Sequence, residues 1–180
     1  HRRFAVNILT HSSPQGVSAA KNAGLAQANG TYVAMVAGDD VQKPNRISLP
    51  LSYLEKKPDR DMVFLDCEMI DANGQPLNRN KGYPEGMTGS NALVFQLRRN
   101  HLFSGLFLAR REACLKFDES LPSGVDYEWA WRVLLDDRKI GILRESVMFY
   151  RIHEGNLSAR AVQSRESVRK IMQRLDLGAI

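Results

Sequence analysis

Two cysteines, Cys67 and Cys114, are all that this 180-residue chain carries. They form no metal-ligand spacing and no disulfide framework, so neither a cysteine-held metal nor a disulfide-stapled fold is supported, and a reducing compartment fits. Long hydrophobic runs are missing too. None approaches the roughly 18 apolar residues that a membrane span needs, and no signal-peptide pattern opens the chain. The expectation is a soluble, cytoplasmic protein. Asn29 and Asn156 head N-x-[ST] triplets, which are common by chance and carry no weight.

What is present points to one domain: 43% of the residues are hydrophobic, enough for a single sizeable core. The formal net charge of +5 invites anionic partners, but it is concentrated in part in the tail "SRESVRKIMQRLD". There Val168, Ile171, Met172 and Leu175 fall at helical spacing, with Arg165, Arg169, Lys170 and Arg174 largely off that stripe. We read residues 159–180 as a basic amphipathic helix docked on its own domain, with peripheral contact at the inner face of a membrane as the sharper alternative. Charge alone assigns no nucleic-acid partner.

Strand and helix patterns alternate along the chain. "RFAVNIL" reads as a strand, "GVSAAKNAGLAQA" as a helix closed by Gly30 in a left-handed cap, and "TYVAMVA" as a second strand. This β-α-β order predicts an α/β domain with a parallel sheet. Pro44 suits a first helical turn, and Pro50 would kink a helix continuing through it. "DMVFLDCEMID" reads as a strand running into a turn at "DANGQP", and Lys81 to Asn91 as a mobile, glycine-rich loop. "LFSGLFLARREA" reads as a strand leading into a short helix, "VDYEWAWRVLLDD" as a helix, and "KIGIL" and "SVMFYRIH" as two strands.

Gly38, Asp39 and Asp40 interrupt this pattern, because an apolar strand runs straight into two carboxylates. Consecutive side chains on an extended strand point to opposite faces, so both can serve one ligand only if the chain turns, which Gly38 permits. The pair is either a strand stop or a place for a hard cation such as Mg²⁺ or Mn²⁺ with substrate phosphates. Gly-Asp-Asp also marks RNA-dependent polymerases, where it occupies a hairpin turn. Here "VQKPNRI" follows with a proline, which argues against a hairpin.

The order "GVSAAKNAGLAQANGTYVAMVAGDDVQKPNRI", then "FLARREA", "FDESLPSGVDYEWAWRVL" and "VMFYRIHEGNLS", resembles GT-A fold, family-two glycosyltransferases over residues 1–158. That family's pattern has a small-residue helix with Asn, "A-x-G-x-Y-[IV]-A", an acidic turn and "P-x-R-[IL]". The resemblance implies an α/β, Rossmann-like nucleotide-diphospho-sugar transferase fold that is N-terminally incomplete, since the strands that read the base are not found. It implies an inverting transfer from a nucleotide-diphospho-sugar, with UDP as the default, to a glycan or lipid-linked acceptor, in cell-surface polysaccharide or glycan synthesis.

By resemblance, Asp39, Asp40 and His153 hold the divalent metal, with Lys21, Asp40 and His153 on the donor and Asp126 as the general base. The family's further acidic residue, two positions before Asp39, is Ala37 here, and Val125 replaces the Glu that usually precedes the base. Each residue also has a plainer reading. Ser123 and Asp126 have the spacing of a helix capping box. Lys21 can be solvated, and His153 can be a satisfied polar residue at a strand end. Arg151 suits phosphate binding or a structural role. Trp129 and Trp131 lie on different helix faces, one in the core and one lining a cleft, or both packed inside. Glu128 and Arg132 form a surface pair. Ala37, Val125 and the missing strands also leave open a non-catalytic, glycosyltransferase-like domain that binds carbohydrate or a protein partner.

Overall fold

The apolar run Met62–Ile70 is buried on both faces over its first six residues, the pattern of a strand covered on each side rather than on one. The computed structural model, which describes residues 5–156 together with Ile171 and Gln173, makes this run β3, at the centre of a sheet. Among the described residues the other strands are β1 (Tyr32–Ala34), β2 (Val41–Gln42), β4 (Pro76–Asn80), β5 (Phe107–Arg110) and β6 (Ile140–Arg151). The helices are α1 (Val17–Gln27), α2 (Ser48–Lys56), α3 (Ala92–Gln96) and α4 (Val125–Leu135).

The sheet order is β1-β5-β3-β6-β2, with β4 also paired to β3. Only β3 and β6 pair in parallel, in the register Met62 with Ile140 and Ile70 with Arg151, and the other pairs are antiparallel. The all-parallel expectation is therefore corrected to a mixed sheet. β5 is inserted antiparallel between β1 and β3, so that β1, β3 and β6 run one way and β5 and β2 the other. The carboxyl ends of β1 and β6 consequently meet the amino ends of β5 and β2 along one edge.

Alternation along the strands builds two cores. On one face Met62, Phe64, Phe107 and Ala109 pack with α4 through Trp129. On the other, Val63 and Leu108 pack with Leu54 of α2. Trp129 stacks on Phe107 at 5.0 Å and Phe117 at 5.3 Å between ring centroids, and its indole N–H donates to the Leu115 carbonyl. Trp131 is fully buried as well, so both tryptophans are core and neither lines a cleft. Gly141 lets the Tyr53 ring lie against β6, where any Cβ would overlap it.

Several local expectations change. "RFAVNIL" forms no strand over its described residues: Val6 and Ile8 are 80% and 86% exposed, and none of the described strands pairs with this segment. "TYVAMVA" keeps only three strand residues, the length over which β5 pairs with it. Gly30 is not a left-handed cap. α1 ends at Gln27, followed by Ala28 in extended conformation. Pro50 does not kink α2, because the helix starts at Ser48 and Pro50 sits in its first turn, where a missing N–H is tolerated. "KIGIL" and "SVMFYRIH" merge into the single strand β6, paired to β3 along its length with register shifts.

The loop from Lys81 is tied down rather than free. Tyr83 Oη donates to the Leu65 carbonyl, and Arg144 donates to the carbonyls of Tyr83, Pro84 and Met87. Glu128 is 5% exposed and accepts two bonds from Arg132 at 2.5 and 2.9 Å, a buried bidentate pair instead of a surface one. The tail helix lies outside the described residues except for Ile171, which is helical and buried, and Gln173. Among the described residues no helix is long and apolar enough to cross a membrane.

Asn22 shows why α1 carries an asparagine among small residues. Its amide donates to the Phe117 carbonyl and accepts from the Phe117 N–H, both at 2.8 Å, and donates to Glu119. The helix is thereby fastened to the chain leading into α4. Truncation to Asn22→Ala would strand both backbone groups of the buried Phe117, a loss of about 1–3 kcal/mol. Urea unfolding should show the lower midpoint, and an unmoved midpoint would mean that the clamp is dispensable.

Candidate active site

Two groups of polar side chains lie along the shared edge. The first is built on the turn between β1 and β2, which brings Asp39 and Asp40 round, and on the turn that follows β6. His153 Nε2 lies 3.0 Å from Asp39 Oδ2. Its ring is held by its own turn: the Gly155 N–H donates to Nδ1 at 3.1 Å, and the His153 N–H donates to Asn156 Oδ1 at 2.6 Å. An Nδ1 that accepts a hydrogen bond leaves the neutral ring's proton on Nε2, directed at Asp39. That bond is the main cause of Asp39's pKa lying below the usual carboxylate range, against a smaller opposing effect of burial. Asn156 spends its amide nitrogen on the Arg151 carbonyl.

Asp40 is turned elsewhere. Its Oδ1 accepts the Arg151 backbone N–H at 3.0 Å, and burial pushes its pKa up. The Arg151 guanidinium donates to the carbonyls of Asp39, Asp71 and Ala72, so it ties the aspartate turn to the β3–β4 hairpin. The sequence expectation pooled Asp39, Asp40 and His153. The structure brings Asp39 and His153 together and gives Asp40 a backbone partner, and among the described residues no group of three His, Cys, Asp or Glu side chains could hold a metal.

The second group lies at the start of α4. Gly124 caps that helix in the left-handed conformation, φ 74°, and no side chain caps it. The Ser123–Asp126 capping box is therefore not formed. Asp126 Oδ1 instead accepts from Lys21 Nζ of α1 at 3.0 Å and from Ser104 Oγ, ahead of β5, at 2.5 Å. Lys21 also donates to Ser104 and lies over the Phe117 ring. It is thus held in the Asp126 group rather than solvated, and it stands apart from Asp39 and His153. Among the described residues no hydrogen bond falls on Asp126 Oδ2. One carboxylate oxygen is therefore fixed by two donors.

A cavity of about 390 Å³ lies at the opposite end of β6, lined by Tyr53, Lys57, Arg60, Gly141 and Arg144 among others, with no carboxylate. The chemistry-bearing groups lie instead by the carboxyl ends of β1 and β6, the end of the strands where ligands of α/β sheets gather.

Residues 2–117 match the family model for glycosyl transferase family 2. The chain belongs to glycosyltransferase family 2. It is 28% identical over 139 residues to an uncharacterized glycosyltransferase of Methanocaldococcus jannaschii, covering 76% of this chain and 47% of the relative. It is 24% identical over 161 residues to the minor teichoic acid biosynthesis protein GgaB of Bacillus subtilis, covering 85% of this chain and 17% of that protein. The chain thus spans less than half the length of these family relatives. In fold it is similar to glucosyl-3-phosphoglycerate synthase of Mycobacterium tuberculosis, solved with Mn²⁺, UDP-glucose and phosphoglyceric acid. The TM-score is 0.51 at 19% identity, covering 88% of this chain and 55% of that one. The GT-A expectation is borne out.

Sequence reasoning missed Ser104 and Lys81. Ser104 is a small polar residue between Phe103 and Gly105, and Lys81 is the single cation between Lys81 and Asn91. Neither carries a motif. Only folding brings Ser104 to Asp126 and sets the Lys81 ammonium over the Phe103 and Tyr150 rings.

Proposed function

We propose that this chain supplies the metal-binding and acceptor-side groups of an inverting glycosyltransferase that uses a nucleotide-diphospho-sugar, with UDP as the nucleotide. The observation that carries the reading is the pairing of Asp39 with His153 on the same edge as an Asp126 carboxylate with one oxygen free. One imidazole nitrogen and one carboxylate suit Mg²⁺ or Mn²⁺, which take few protein ligands and fill the remaining positions with water and phosphate oxygens. Asp39 and His153 would hold the ion, which when bound neutralises the departing diphosphate. To serve there through Nε2, His153 would take up the neutral tautomer with its proton on Nδ1, and the Gly155 N–H contact to Nδ1 would give way. Asp40 fixes Arg151 and so the strand end that leads to His153.

Asp126 acts on the acceptor. As an acceptor oxygen forms its bond to the anomeric carbon, the Asp126 carboxylate takes the hydroxyl proton. The bond from that carbon to the diphosphate oxygen breaks, with its electron pair leaving on the diphosphate. Attack from the face opposite the leaving group inverts the anomeric centre. Lys21 and Ser104 hold Oδ1, so that Oδ2 points the basic lone pair at the acceptor. Similarity to a teichoic acid biosynthesis protein supports a glycan or lipid-linked acceptor in cell-surface polymer synthesis.

Calorimetric titration of the full-length protein with UDP, in Mn²⁺ and again in chelator, tests the reading. Affinity is expected to depend on the metal. Equal binding in chelator, or none with Mn²⁺, would remove it.

A further inference from the structure

Lys81 follows β4, and its backbone N–H donates to the Cys67 carbonyl. The side chain places Nζ 2.9 Å from the centroid of the Phe103 ring and 5.0 Å from that of Tyr150. Phe103 adjoins Ser104 of the Asp126 group, and Tyr150 adjoins Arg151 of the Asp39–Asp40 group. The ammonium therefore stands between the two halves of the site.

Neighbouring cations are occupied. Lys21 is bound to Asp126 and Ser104, Lys43 to Glu68, and the Arg151 guanidinium to carbonyls. Among the described residues Lys81 Nζ makes no ion pair or hydrogen bond. Ring faces offset part of its charge but accept none of its three N–H bonds in the ordinary way, and a part-buried ammonium needs acceptors. Burial pushes its pKa down to about 8, while Cys67, Asp126 and Asp40 pull the other way. At neutral pH it remains mostly charged.

We propose that Lys81 binds an anionic group, a phosphate or a carboxylate, on the acceptor, and so presents the acceptor's hydroxyl to Asp126. The inference rests on the transferase reading for its substrate and deepens it by naming a charged acceptor. The Asp126 side is favoured over the donor because the diphosphate would have its own cation, held by Asp39 and His153, whereas the Phe103 wall under Lys81 continues into Ser104. The plainer alternative is a lysine held by its rings for packing alone.

The test is binding to the full-length protein at fixed ionic strength, with glycerol 3-phosphate as the phosphate probe, glucuronate as the carboxylate probe and glycerol as the uncharged control. Wild type and Lys81→Arg are expected to bind one of the two anions and not glycerol. Lys81→Met is expected to bind that anion at least about tenfold more weakly, the scale of one lost charge-assisted bond. Its melting temperature and its UDP affinity in Mn²⁺ should stay at wild-type values. Equal anion binding by wild type and Lys81→Met, or no anion binding by wild type, would overturn the proposal. So would a fall in melting temperature shared by both variants, which marks a packing role, or a matching loss of UDP affinity, which puts Lys81 on the donor. Failure of wild type to bind UDP with Mn²⁺ would instead strike the transferase reading, and an anion site that needs Lys81 would still stand.

Discussion

Asp126→Asn is expected to lose sugar transfer by about 10²–10⁴-fold, the usual worth of a positioned general base, with donor binding retained. Asparagine keeps an oxygen where Oδ1 now accepts from Lys21 and Ser104, so the side chain should hold its place while an amide nitrogen replaces the free Oδ2. Stability should hardly change. No helix cap is lost, because Gly124 starts α4 without a side-chain cap, and the Lys21 ion pair is part-exposed, a class typically worth about 0–1 kcal/mol. Turnover under saturating donor and thermal unfolding of the same variant separate the two effects. A variant that transfers sugar near the wild-type rate would mean that Asp126 is not the base, and the search would then move to other groups on this edge.

Asp39→Asn and Asp40→Asn should behave differently although the residues are neighbours. Asp39 faces His153 Nε2, so its amide variant removes the anionic half of the proposed metal pair. Metal-dependent donor affinity should fall by more than the roughly 10–100-fold that loss of a mere outer-shell partner costs. Asp40→Asn can still accept the Arg151 N–H with its amide oxygen, and its effect should be smaller than that range. Mn²⁺ titrations in the presence of UDP read both. Matching losses in the two variants would mean that the two carboxylates share the ion, and an unchanged Asp39→Asn would take Asp39 out of the metal site.

Local chemistry made much of this protein legible before folding. The apolar run from Met62 was legible as a strand, and only the structure shows it covered on both faces. The turn residues after Ile70 announced a turn, with Asp71 Oδ1 accepting the N–H groups of Asn73 and Gln75, while β4 beyond it was not foreseen. The run from Val125 had the apolar spacing of a helix. The motif order fixed the family, and with it the pairing of an aspartate turn with a distant histidine, because spacing and residue type are linear properties. Tertiary contact alone decided the rest. Whether "RFAVNIL" pairs depends on a neighbour that a strand cannot supply for itself. The direction of β5 makes the sheet mixed, and that direction lays Ser104 on the same edge as His153. The Asp126 carboxylate had equal local reason to cap its own helix, and it bonds Lys21 and Ser104 because they arrive from 105 and 22 residues away. Partners that distant leave no periodicity in the chain, so burial and charge could be assigned to Lys81 and Asp126 only once the sheet had brought its strand ends together.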